Sequence, residues 1–111
     1  MRVRYAARKS FCNPMGHIQG GLLAAMLDDA MGPALFTLLE EGQSAPTLEI
    51  KVSFLRPARP GTLFGEGRVV QRGRSVAFLE GTLADEDGTP VASATATARI
   101  ISPSSGNGHP G

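Results

Sequence analysis

From Gly20 to Leu39 the chain reads GGLLAAMLDDAMGPALFTLL, and Asp28 and Asp29 are the only charged residues in it. A helix that is apolar nearly all the way round does not belong on a surface; it belongs inside a core that the rest of the chain must supply. The spacing predicts a helix from about Gly21 to about Glu41, with Gly42 as the residue just past its end. Pro33 lies inside that span and removes a hydrogen bond to the carbonyl of Asp29, so a kink or break is expected there. An ionised carboxylate in such surroundings must be paired, neutralised or put to work. Successive helical residues point about 100° apart, so at most one of the two aspartates aims at any one site. The run is long enough to suggest a membrane span, but the aspartates and the Gly32-Pro33 pair argue against it.

Outside this run the hydrophobic period is two. Residues 2–11 alternate Arg2 and Arg4 with Val3 and Tyr5 and read as a short strand. Asn13-Pro14 marks a turn, followed by Gly16, Gly20 and Gly21. In residues 47–55, Leu48, Ile50, Val52 and Phe54 are expected on one face, with Thr47, Glu49, Lys51 and Ser53 on the other. Residues 56–61 form a proline-rich connection. A strand at 62–71 contains Gly65 and Gly67, which signal a bulge or a close backbone approach. A turn at Gly73 leads to a strand at 76–84, then the hairpin signal DEDG at 85–88 and a last strand at 89–101. There Ala92, Ala94, Ala96 and Ala98 make a smooth face on which a helix can lie close. The order strand, helix, four strands predicts an α+β fold, an antiparallel sheet curling around one helix.

With 111 residues the chain is expected to form a single domain over 1–102, with 103–111 as a disordered tail. A net charge of +1 argues against a dedicated nucleic-acid binder. A single cysteine, Cys12, excludes an internal disulfide and points to a reducing compartment. No apolar stretch follows the early Arg2, Arg4, Arg8 and Lys9, so no secretory signal is expected, and a cytoplasmic location is the expectation. Cys12 has no base fixed beside it, and one histidine, His17, near one cysteine makes no metal site. Neither a metal nor a cofactor is expected.

The run N-P-M-G-x-x-Q-G-G-x-x-x-x-x-L-D-D-A, followed by T-L-E-I-K-V-S-F-L-R-P, G-R-S-V and D-G-T-P-V-A, resembles the hotdog-fold thioesterases of the PaaI-like, phenylacetate-type acyl-CoA group over about residues 5–101. The resemblance implies a curved antiparallel sheet wrapped around one long central helix. It also implies homodimers or homotetramers whose active sites lie between subunits, and hydrolysis of acyl-CoA thioesters. Residue by residue, it makes Asn13 the loop group that orients water or substrate. Gly20 is the backbone donor to the thioester carbonyl, Asp28 the base or nucleophile, and Thr47 a hydroxyl that helps place the water. Many relatives carry His-Gly-Gly where this chain has Gln19-Gly20-Gly21. Gln19 can donate a hydrogen bond but cannot carry a proton.

The chemistry stands on the residues as well. Free N–H groups at a helix N-terminus suit the oxyanion that develops during thioester cleavage. Each candidate also has a plainer role. Gly20-Gly21 can be a tight turn, Asp28 and Asp29 two solvated carboxylates, Thr47 the start of a strand, and Asn13 an Asx-type turn. Arg56, Arg59, Arg72 and Arg74 cluster around two connections and are candidates for the CoA phosphates, or are ordinary turn residues. The expected activity is an acyl-CoA thioesterase acting on aromatic or medium-chain acyl groups. The alternatives are a non-catalytic acyl-CoA sensing module and a hydratase or dehydratase, the last disfavoured by Gln19.

Overall fold

The computed structural model describes residues 2–103. Its elements are β1 (Arg2–Ala7), a single 3₁₀ turn (Lys9–Phe11), α1 (Gly20–Phe36), β2 (Thr47–Phe54), β3 (Gly61–Arg72), β4 (Val76–Ala84) and β5 (Pro90–Arg99). The strands form one antiparallel sheet in the order β1-β3-β4-β5-β2. The α+β expectation is met: one long helix lies against a curved sheet.

Alternation sets the inner face. Ala77, Leu79, Gly81 and Leu83 of β4 and Ala92, Ala94, Ala96 and Ala98 of β5 are buried, while Phe78, Thr82 and Thr95 are exposed. Leu27, Met31, Leu63 and Leu83 are the largest fully buried side chains, each worth roughly 1.5–3 kcal/mol relative to exposure. The helix lies chiefly over β3 and β4, and glycines let it do so. A Cβ on Gly67 would stand 2.2 Å from the Ala30 carbonyl oxygen, and one on Gly81 would stand 2.9 Å from Met31 Cγ. Gly65 and Gly67 therefore mark a close backbone approach; the bulge in β3 falls instead between Val69 and Gln71.

Several boundaries differ from expectation. The first strand stops at Ala7, whose partner Gly61 begins β3, so β3 offers it no further partner. The helix is continuous through Pro33, without the expected break, and ends at Phe36 instead of reaching Glu41. Its end is set by Thr37, whose hydroxyl donates to the Ala34 carbonyl at 2.9 Å, while Leu38 N–H turns back to Leu35 at 2.8 Å. The hydroxyl takes the carbonyl that a further helical turn needs. Gly42 does adopt a left-handed backbone, φ +83°, but in the following loop rather than at the helix end. Asp28 and Asp29, expected in buried surroundings, are exposed in the single chain. They lie on a stripe of α1 with Gly21, Ala25 and Gly32 that the sheet does not cover. Of the expected tail, Pro103 packs beside Gly42; residues 104–111 lie outside the described residues.

Candidate active site

The glycine turn is built around Asn13. Its side-chain oxygen accepts the N–H groups of Met15 at 2.9 Å and His17 at 3.2 Å, an Asx-type arrangement, while its N–H donates to the His17 carbonyl at 2.7 Å. Ile18 N–H donates to Ala58 of the proline-rich connection at 2.7 Å, and Gln19 N–H to Phe11 at 3.0 Å. The turn is thus held from both sides. Gln19 is the N-cap, and its carbonyl accepts from Leu22 and Leu23. Its side chain makes no capping bond and is exposed. The N–H groups of Gly20 and Gly21 consequently have no acceptor among the described residues, as the start of a helix leaves them. Asn13, His17, Gly20, Phe54 and Arg56 line an open cleft of about 360 Å³.

A second cluster forms farther along the helix. Thr47 Oγ1 donates to Asp28 Oδ1 at 3.3 Å. The strict alternation expected for β2 puts Thr47 on the face away from Ile50 and Val52, and the structure corrects this. A register shift between Thr47 and Glu49 pairs Thr47 with Ala98 and Ile50 with Ala96. Both alanines are buried against the helix side, so Leu48 is the extra residue of a β-bulge and Thr47 turns inward. Asp28 and Thr47 stand at a mostly apolar cavity of about 200 Å³, lined also by Met31, Leu35, Leu39, Leu79, Ala96 and Ala98.

Asp29 points elsewhere. Its Oδ2 lies 2.7 Å from the hydroxyl of Tyr5 on β1, which also approaches the Met26 carbonyl at 3.0 Å. Partial burial, and then the Asp29 carboxylate, push the Tyr5 phenol well above its ordinary range. Tyr5 is a partner that the sequence did not single out; its place on the inward side of the alternating first strand was the available signal.

Within one chain, Asn13, Gly20 and Arg56 meet in one cleft and Asp28 and Thr47 meet at another cavity. Arg72 is turned inward and bonded to Gln43 and Gly73, Arg74 is exposed, and Arg59 lines a separate cleft with Asp85 and Glu86. Of the four candidate arginines, only Arg56 stands beside the glycine turn. Among the described residues no group of three or more His, Cys, Asp or Glu side chains could hold a metal, and no helix is long and apolar enough to cross a membrane.

A helix in a curved antiparallel sheet, with a glycine turn at its N-terminus and a carboxylate on its open face, is the hotdog arrangement. The sequence profile of the thioesterase superfamily matches residues 15–92, and the chain belongs to that family. It is similar to the crystal structure of a phenylacetic acid degradation-related protein from Ralstonia eutropha, proposed as a thioesterase: 45% identity, 88% of this chain and 74% of that one, TM-score 0.85. A Bacillus halodurans protein crystallised with CoA is 28% identical over 88% of this chain and 69% of its own, TM-score 0.84. A proposed esterase of Saccharolobus solfataricus is 29% identical over 86 residues, 78% of this chain; the match spans 61% of that relative's length.

Proposed function

We propose that this protein hydrolyses acyl-CoA thioesters to the free acid and CoA, in sites assembled from two copies of the chain. The observation that carries the proposal is Asp28, held by Thr47 at the mouth of an apolar cavity. The acyl group, aromatic or of medium length, enters that cavity. Asp28 takes a proton from a water held by Thr47 as the water oxygen attacks the thioester carbon; alternatively its carboxylate attacks directly, and the mixed anhydride left when the C–S bond breaks is hydrolysed by water to release the acid and restore the carboxylate. The carbonyl oxygen gains charge and is stabilised by the Gly20 N–H of the neighbouring copy, at the positive end of its helix. The C–S bond then breaks and the sulfur leaves as thiolate, which is protonated to CoA. The Asn13 amide N–H₂, whose oxygen is already committed to the turn, helps orient the substrate beside Gln19. Arg56 on the same cleft contacts a CoA phosphate.

Two features support the assembly as a homodimer or homotetramer. Among the described residues of one chain, Asn13 and Gly20 line one cavity and Asp28 and Thr47 another. The uncovered helix stripe and the edge strand β2, with Leu48 59% and Phe54 56% exposed, offer small and apolar surface for a second copy. The Bacillus halodurans relative with CoA supports a CoA ester as substrate, and the phenylacetic acid degradation-related one, proposed as a thioesterase, supports thioester cleavage.

The test is release of free thiol from acetyl-, medium-chain, benzoyl- and phenylacetyl-CoA. Asp28→Asn is expected to lower kcat by about 10²-fold to 10⁴-fold, and Asp29→Asn to leave it within a few-fold. Equal losses in both variants, or none in Asp28→Asn, would remove Asp28 from the chemistry.

A further inference from the structure

The cavity beside Asp28 is closed on one side by the loop between α1 and β2, which contributes Leu39, Gln43, Ser44 and Ala45 to its lining. This loop is fastened from outside. Ser44 and Ile101 exchange backbone hydrogen bonds of 2.9 and 2.8 Å, and Pro103 lies against Gly42. Gln43 is the hub. Its side-chain oxygen accepts from Arg72 Nη2 at 3.2 Å and from Glu40 N–H at 2.8 Å, and its amide nitrogen donates to Ser102 Oγ at 3.1 Å.

Arg72 reaches Gln43 because of the bulge in β3. With one residue added between Val69 and Gln71, Arg72 pairs with the buried Ala77 and so faces inward. Its Nη1 donates to the Gly73 carbonyl at 3.2 Å. Its Nε is buried with no partner among the described residues. The guanidinium is thus committed to the protein, behind the cavity wall and not part of it. This geometry departs from a phosphate ligand, which needs an outward, solvent-facing fork.

We infer that Arg72, acting through Gln43, fixes the far wall of the acyl cavity and so sets the length of the acyl group the protein accepts. The inference rests on the cavity being the acyl site, as proposed above. An apolar cavity of roughly 150 Å³ holds a benzene ring, so about 200 Å³ suits a phenylacetyl-sized group or a short aliphatic chain. Longer groups meet Gln43 and its supports. Gln43 touches the acyl group; Arg72 is a positioning residue.

The experiment is calorimetric binding of free CoA and of S-alkyl-CoA thioethers of increasing chain length. These have no bond to hydrolyse, so the result is independent of turnover, and hydrolysis is scored separately by thiol release from the wild type. Wild-type affinity should rise roughly fourfold per buried methylene and then level off. In Arg72→Met and in Gln43→Ala the levelling point should move to longer chains by about two methylenes, each regaining that roughly fourfold step, with free-CoA affinity unchanged. An unmoved levelling point in Gln43→Ala would overturn the inference, and because that substitution lies in a surface loop it decides the matter even where Arg72→Met does not fold. A uniform loss of affinity for free CoA and every thioether in Arg72→Met would also overturn it, making Arg72 a phosphate ligand. Absence of any chain-length dependence in the wild type would remove the cavity as the acyl site.

Discussion

Two adjacent carboxylates with the same chemistry are separated here by the direction each takes from the helix. Asp28 turns toward Thr47 and the cavity; Asp29 turns toward β1 and is held by Tyr5. The sequence could say that only one of them serves a site, since they diverge by about 100°, but choosing between them rested on family resemblance. The Tyr5 contact adds a physical reason, because it holds the Asp29 carboxylate against β1, away from the cavity that Asp28 lines. It has a measurable consequence. The chain contains one tyrosine, so tyrosinate absorbance reports Tyr5 alone. Its folded-state pKa lies above the unfolded value, so its contribution to stability is complete below about pH 10 and is lost as pH rises through the folded value. In an alkaline titration tyrosinate should appear above the ordinary range or together with unfolding. A tyrosinate midpoint near pH 10 in still-folded protein would contradict the contact.

Among the elements, the strands were legible wherever strict alternation holds and illegible where a bulge interrupts it. The strand at 76–84 and the alanine face of β5 follow from period two. The inward turns of Thr47 and Arg72 do not, because each depends on one added residue whose position hydrophobicity does not mark. The same limit applies to the helix end, decided by the Thr37 hydroxyl and not by Gly42. Glycines gave a better signal. Gly67 sits under the Ala30–Met31 backbone, where an added Cβ meets main-chain atoms that cannot rotate away. Gly67→Ala should therefore destabilise the protein by about 3 kcal/mol or more, at or beyond the upper end for overpacking. Denaturant midpoints of Gly67→Ala and the wild type measure the loss, and an unchanged midpoint would contradict the close helix–sheet approach.

At the scale of the whole molecule, the apolar run correctly announced a helix wrapped by a sheet, yet one chain leaves a stripe of that helix bare. The exposed Gly21, Ala25, Asp28 and Gly32 explain why a sequence so free of charge has the pattern of a helix buried all round: part of its covering is proposed to come from a second copy. The division of the site follows, with the oxyanion donor on one chain and the carboxylate on the other. Subunit complementation addresses it. Gly20→Pro removes the N–H without demanding a new backbone, since proline is favoured at the first helical position and Gln19 before it is already extended at φ −60°, ψ 138°. Alone, it should lower kcat by about 10²-fold to 10³-fold. The decisive measurement is thiol release by differently tagged, co-purified pairs of an Asp28→Asn chain with a Gly20→Pro chain. One intact site in each mixed pair should restore about half of the wild-type rate. Activity no higher than that of either parent variant would place the whole site within a single chain and contradict the shared-site mechanism.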